Sequence, residues 1–260
     1  MVWTDGDLAT AATAFVGLAA LVRPDVSRAF RHWRSKIDVH PAGQIEIGFS
    51  IFGPTVGIQG TLRAIGRDEF VARSWMTIER ISDHLRHDFE WAVFRPQAVS
   101  PPSASWEVAA GFLVSKAAPR RFNIQFHDTA TAKRLSAPLT ELKNAWLQHL
   151  QKKNIRLADV QPKDVRKEYD QFLELNKETS GRAYQAIDRD FYWVQGDYRL
   201  CLSVETSRPA KVFLYTYKFC LSEPESVSIR ANVTACMLTA CNVPDTIFSF
   251  ALPAYQHNGA

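Results

Sequence analysis

Two histidines three residues apart, each beside an aspartate, come closest to a metal site in this sequence. His84 and His87 are flanked by Asp83 and Asp88. Imidazole nitrogens and carboxylate oxygens are common ligands of Zn²⁺ and related cations. A tight turn could bring these four side chains together, but no further ligand follows at a spacing typical of metal sites. A solvent-exposed hairpin tip is the more frequent structure for such a turn, so both interpretations stay open.

His127 and Asp128 form a second pair of titratable side chains, at the end of an alternating segment. Together with the turn residues they are the candidates for an enzyme site assembled from distant parts of the chain. The sequence contains no nucleophile elbow, no glycine-rich phosphate loop and no His-Glu-x-x-His motif. It therefore predicts no catalytic residue, no cofactor and no metal ligand, and it favours a binding protein over an enzyme.

Most of the chain alternates apolar and polar side chains with a period of two, the pattern of strands with one buried face. Residues 45–64 alternate on both sides of Gly53-Pro54, which predicts two strands joined by a turn. Further strands are predicted at residues 70–79, 89–94, 106–112, 122–126, 191–193, 199–204, 213–219, 227–237 and 248–252. Strands separated by turns are typical of an antiparallel β-sandwich, here of roughly nine to eleven strands.

A helical insertion interrupts this pattern between about residues 129 and 190. Apolar side chains at helical spacing predict a first helix, at Leu135, Leu139, Leu142, Trp146 and Leu150, and a second, at Val165, Tyr169, Phe172 and Leu173. The turn Pro41-Ala42-Gly43 is predicted to begin the folded region. The sequence thus predicts a mainly β domain over residues 41–260, a sandwich with a two-helix insertion.

Residues 1–40 are predicted to be an N-terminal helix followed by a basic segment. Residues 8–22 form an uncharged, mostly apolar run of 15 residues. As a helix this run would span about 22 Å, which is shorter than the roughly 30 Å hydrocarbon core of a bilayer. Acidic Asp5 and Asp7 before it and basic residues after it favour a single-pass membrane anchor with the N-terminus outside and the remainder in the cytoplasm. A soluble helix or one lying in the membrane interface is the alternative.

The small positive charge of the chain is concentrated in one segment. The net charge is +4, and five basic residues lie close together, namely Arg23, Arg28, Arg31, Arg34 and Lys36. Such a cluster favours contact with anionic lipid headgroups, while the nearly neutral remainder argues against nucleic-acid binding. The predicted partners are membrane lipid and an unidentified protein, and the sequence leaves the oligomeric state open.

The order of parts resembles single-pass bacterial membrane proteins that carry an immunoglobulin-like or arrestin-like β-sandwich behind an amino-terminal helix. The resemblance rests on the helix, the basic segment, and strands such as Ile45-Glu-Ile-Gly-Phe49 and Trp193-Val-Gln-Gly-Asp-Tyr198. It implies a fold but no site residue. The hypothesis that follows is a membrane-tethered β-sandwich that faces the cytoplasm and binds a protein partner, with strand addition as the available route. The alternative is an enzyme, with a metal-dependent site around His84 and His87.

Overall fold

Ten strands and five α-helices make up the part of the chain that the structure, a computed structural model, describes: residues 35–96, 107–207 and 210–257. The strands are β1 (Lys36–Ser50), β2 (Gly53–Ile65), β3 (Glu69–Arg80), β4 (Arg86–Pro96), β5 (Glu107–Val108), β6 (Phe112–Val114), β7 (Arg120–His127), β8 (Gly196–Ser207), β9 (Ala210–Leu221) and β10 (Tyr255–His257). The helices are α1 (Thr129–Lys152), α2 (Pro162–Leu175), α3 (Lys177–Arg189), α4 (Glu223–Arg230) and α5 (Asn232–Ala240), with a 3-10 turn at Leu157–Asp159.

The strands form one antiparallel sheet that nearly closes on itself. Its order is β1-β2-β7-β4-β3-β8-β9-β10, with the short β5 paired to β4 and β6 paired to β3. The segment before β10 returns to β1, where Ile47 and Ala251 exchange two backbone hydrogen bonds of 2.9 Å. A mainly β, antiparallel fold is therefore confirmed. The immunoglobulin-like or arrestin-like sandwich is not confirmed, because the described strands belong to a single curved sheet rather than to two packed sheets.

Alternate side chains of every long strand fill the inside of this barrel. Residues such as Ile47, Ile58, Met76 and Phe126 are at most 1% exposed. A cavity of only about 10 Å³ is left among them, which is the volume of about one water molecule. The predicted period of two is thus correct for these strands, and it produces a solid core rather than an internal binding cavity.

The helices cover one end of the barrel. The predicted apolar stripe of α1, including Leu135, Leu142 and Trp146, is fully buried. Helix α1 packs against α3 and α5, and α5 packs against β1. We call this the helical end; the β1–β2 turn and the start of β8 lie there. The opposite end, where Ser35 leads into β1 and β2 turns into β3, is the far end.

Several segments differ from the sequence prediction. The predicted insertion at 129–190 is helical, but it holds three α-helices rather than two, since the chain breaks at Asn176. The strand predicted at 227–237 is wrong, because this segment lies in α4 and α5. Its apolar residues also fit helical spacing, and the capping box of Ser222 and Glu225 starts a helix there.

Strand β1 begins at Lys36, so the turn predicted at Pro41 is wrong. Pro41 lies within β1, next to a register shift between Pro41 and Ile45. Residues 191–193 and 248–250 lie outside the strands. In the described ranges no helix is long and apolar enough to cross a membrane. The predicted anchor at residues 8–22 and the basic segment up to residue 34 lie outside the described residues, so both stay predictions.

Candidate functional site

The two histidines of the β3–β4 turn have different partners. His84 is exposed, with a left-handed backbone (φ 56°), and its Nδ1 lies 2.7 Å from Glu79 Oε1. The Arg80 guanidinium beside Asp83 holds the pKa of that carboxyl at about 2. Asp88 is exposed on the surface of the hairpin. No group of three or more potential ligands that could hold a metal occurs within the described ranges, so the geometry lends the metal hypothesis no support.

The other histidine of the turn, His87, meets Asp128. Its Nδ1 lies 2.6 Å from Asp128 Oδ2, and the two side chains are 16% and 4% exposed. Asp128 is the N-cap of α1: Oδ1 accepts the Thr131 amide at 3.0 Å and Oδ2 accepts the Thr131 hydroxyl at 2.6 Å. Burial raises the pKa of Asp128, but the bonds from His87 and Thr131 outweigh it and hold that pKa at about 2. The contact ties β4 to the first turn of α1.

The network continues from this dyad across the helical end. Thr131 Oγ1 accepts a 2.7 Å bond from Arg134, and Arg134 Nε donates to Asp190 at 3.1 Å. The Tyr192 ring packs on His87 with 4.1 Å between ring centroids. The Arg134–Asp190 bond joins α1 to the end of α3, and the Tyr192–His87 contact joins the segment after α3 to β4. The network therefore explains how the helices are attached, whereas acyl transfer or hydrolysis would need a nucleophile beside the imidazole as well.

His127 does not join the dyad although it precedes Asp128 in the chain. Successive strand residues point to opposite faces, and the His127 ring instead stacks on Phe52, at 5.3 Å between centroids and 11° between planes. Burial lowers the pKa of His127, which favours its neutral form. The structure thus brings together His87 and Asp128, one residue from each candidate group, whereas His84 contacts Glu79 and His127 contacts Phe52.

A groove of about 930 Å³ opens through the barrel wall between β1 and β9, towards the far end. We call it the seam groove. It is lined by Lys36, Asp38, Val39, His40 and Pro41 of β1, by Leu214, Tyr215, Thr216 and Tyr217 of β9, and by Tyr255 of β10. Its volume is in the range of ligand-binding clefts, and unlike the barrel interior it is open to solvent.

The groove exists because the C-terminal segment closes only half of the seam. Residues 251–254 pair with β1, and Tyr255–His257 pair with Tyr217, Lys218 and Phe219 of β9. Between that point and the far end, residues 36–43 of β1 and 210–216 of β9 have no strand beside them on the groove side among the described residues. Two strand edges therefore face each other with nothing but side chains between them.

Those side chains bond to the backbone where a strand would bond. The Tyr215 hydroxyl donates to the Ile37 carbonyl, and Lys211 Nζ lies 3.5 Å from the Ser35 carbonyl oxygen. Burial raises the pKa of Tyr215, so the phenol stays a donor. The Ile37 carbonyl points into the groove, and because backbone groups alternate in an antiparallel pair, those of Val39 point there too.

The two outer walls of the groove differ in chemistry. The β1 wall is ionic, with a 2.7 Å pair between Lys36 and Asp38 next to the exposed His40. The β9 wall is apolar: Val212 and Leu214 are 50% and 66% exposed. Large apolar side chains on the outside of a strand are typical of contact surfaces.

Comparison with family models, with curated proteins and with solved structures gives no significant match to this chain. The candidate site therefore rests on geometry alone. The groove is not apparent from the sequence, although one signal is present. Pro41 lies inside an alternating strand, and proline within a sheet is typical of an edge strand.

Proposed function

We propose that this chain is a membrane-tethered interaction module whose seam groove binds an extended segment of a partner protein by strand addition. The observation that carries the proposal is the pair of strand edges, in β1 and β9, that face each other across an unfilled stretch of the barrel wall. A strand entering there would hydrogen-bond to two edges at once, which is a stronger arrangement than addition to a single edge. The tether is the predicted single-pass anchor at residues 8–22, with the N-terminus outside and the β domain in the cytoplasm.

The half of the seam nearer the helical end indicates the direction and register that a partner strand would take. Residues 251–257 run antiparallel to β1 and to β9 and hydrogen-bond with both. A partner strand that continues this path would be antiparallel to both edges and would lie beside residues 210–216. At about 3.3 Å per residue this stretch accommodates roughly six residues.

The groove also selects the side chains of the partner. Its floor already holds the rings of Tyr215 and Tyr217, so inward-facing partner residues must be small. Outward-facing residues would lie beside Leu214 and Val212, whose exposed surface favours Val, Ile or Thr. The expected partner segment therefore alternates small residues with β-branched ones.

A peptide-binding experiment on the full chain tests this proposal. The probes are eight-residue peptides with Val, Ile or Thr at alternate positions and Ala or Ser between them. We expect binding accompanied by slower hydrogen exchange in residues 36–43 and 210–216. The matched control carries N-methyl groups on alternate amides, which removes backbone donors and is expected to weaken binding at least tenfold. Failure of all such peptides to bind, or protection of a different surface, would refute strand addition in the seam groove.

The enzyme alternative has no comparable observation in its favour. His84 and His87 do not share a partner, and the His87–Asp128 dyad is part of a helix cap. It is therefore not proposed as a second function.

A further inference from the structure

Three exposed apolar side chains cluster at the far end of the barrel. Phe70 and Leu113 are 43% and 53% exposed and lie directly opposite each other in the β3–β6 pair. Ile65, at the end of β2, is 39% exposed. We call Ile65, Phe70 and Leu113 the far-end patch.

These three side chains contribute little to the barrel core. Their chain neighbours Val71, Phe112 and Val114 point inward and are buried. The Phe70 ring lies over Gly111 on the outer surface, where a Cβ at Gly111 would come within 2.5 Å of it. Folding therefore does not explain why large apolar residues occupy these outward positions, and contact with another apolar phase does.

Basic side chains surround the patch. Arg63, Lys116 and Arg121 are exposed, and the described residues provide no ion-pair partner for them. Three carboxylates lie nearby. Glu69 is buried against Arg67 at 2.7 Å, and Asp68 accepts a 2.6 Å bond from the Lys116 amide. Asp38 lies opposite Arg63 in the β1–β2 register and pairs with Lys36 at 2.7 Å. Basic side chains outnumber the carboxylates at this end, so the surface is apolar in the middle with a net positive charge around it, the composition of surfaces that bind anionic lipid.

The chain also enters the barrel at this end. Lys36, the first residue of β1, pairs in register with Ile65 of the patch. The segment just before it contains Arg28, Arg31 and Arg34, for which the sequence predicts contact with lipid headgroups. Along the chain, the basic segment therefore comes directly before the residue of β1 that pairs with the far-end patch.

We propose that the far-end patch is a membrane-docking surface for anionic lipid, with Phe70, Leu113 and Ile65 at the boundary between headgroups and acyl chains. The basic residues Arg63, Lys116 and Arg121 contact the headgroups. This inference does not depend on strand addition in the seam groove. It differs from the predicted anchor as well, because it concerns the orientation of the β domain on the lipid surface.

Tryptophan fluorescence quenching on the full-length protein tests the docking surface. Leu113→Trp introduces a reporter in the patch, and Leu175→Trp introduces a matched reporter on α2, where Leu175 is 72% exposed. The vesicles contain phosphatidylcholine brominated near the headgroup and 30% phosphatidylserine. We expect the added emission of L113W to be quenched at least threefold more than that of L175W. Equal quenching of the two reporters on vesicle-bound protein would overturn the proposal, because the tether alone would then hold the chain.

A charge reversal tests the anionic part of the proposal. In the L113W background, the double substitution Lys116→Glu and Arg121→Glu should reduce the quenching at least twofold, as should replacing phosphatidylserine with phosphatidylcholine. The control pair Lys133→Glu and Lys152→Glu reverses two exposed charges of α1 and should leave the quenching unchanged. If neither the charge reversal nor the lipid replacement reduces quenching, anionic recognition is refuted.

Discussion

The two ends of the barrel are closed by different kinds of contact. At the helical end, the backbone of residues 251–257 fills the seam and buried side chains such as Trp193 and Asp128 attach the helices. At the far end, the seam is spanned by the side chains of Tyr215 and Lys211. Large buried aromatic residues stabilise a fold by several kcal/mol each, whereas one side-chain hydrogen bond contributes about 1 kcal/mol net. We therefore expect the helical end to contribute more to stability per contact than the seam at the far end, where the proposed binding surfaces lie.

The largest effect on stability is expected from Trp193→Ala at the helical end. Trp193 is fully buried, and its indole N–H donates to the Gly48 carbonyl at 2.7 Å. Removing it should lower the free energy of unfolding by about 3–5 kcal/mol, because it leaves a cavity and an unpaired carbonyl. Urea denaturation measures this loss. The control Ile247→Ala, at a residue that is 84% exposed, should change it by less than about 0.5 kcal/mol. A similar loss in both variants would show that the buried Trp193 does not stabilise the helical end.

Asp128→Ala should be the next most damaging change. It removes the N-cap of α1 together with the partner of His87. We expect a loss of about 2–4 kcal/mol in the free energy of unfolding, since a cap and a charge-assisted bond are both lost. The matched control is Asp88→Ala, whose carboxylate is 73% exposed and should matter by less than about 0.5 kcal/mol. Equal effects of the two substitutions would mean that the network does not attach α1.

The same carboxylate gives the helical end an acid sensitivity. The pKa of Asp128 is about 2 in the folded chain, against an ordinary value of 3.8. Because the pKa of Asp128 is lower in the folded than in the unfolded chain, its ionised carboxylate stabilises the fold at pH values above the unfolded pKa. This stability is lost as the pH falls from about 4 through about 2. The loss should reach about 2 kcal/mol. Asp128→Asn should lack it, so the difference in stability between parent and variant should shrink over this range; a constant difference from pH 6 to pH 2.5 would exclude Asp128 as the cause.

Tyr215→Phe should have the smallest effect on stability. It tests most directly whether side chains at the far end occupy the place of a strand. The phenyl ring is retained, so only the bond to the Ile37 carbonyl is lost, at a cost of about 1 kcal/mol. The freed carbonyl can then accept a bond from an added strand, so the alternating peptides should bind several-fold more tightly than to the parent. Isothermal titration measures this, with Tyr184→Phe on the exposed surface of α3 as the control. Weaker peptide binding to Y215F would show that Tyr215 holds the partner strand rather than occupying its place.

Local patterns predicted a large part of this architecture. The alternation in residues 45–64 produces β1 and β2 as an antiparallel pair, and the stripe at Leu135, Leu142 and Trp146 is the buried face of α1. These patterns allowed a correct prediction because a strand with one buried face gives a period of two, and a helix with one buried face gives a period of 3.6. The alternation at 227–237 led to a wrong prediction of a strand, because its short apolar run fits both periods. The capping box at Ser222 favours the helix that the structure has there.

The sites, by contrast, depend on which elements become neighbours. His87 and Asp128 lie 41 residues apart in the chain. In the sequence they belong to two different groups of candidate residues. The edges of β1 and β9 are more distant still. An alternating strand specifies which face is buried, but not which strand lies beside it. The amino-acid order therefore determines the elements and their buried faces, while the closure of the sheet by residues 251–257, and with it the open half of the seam, arises only in the tertiary fold.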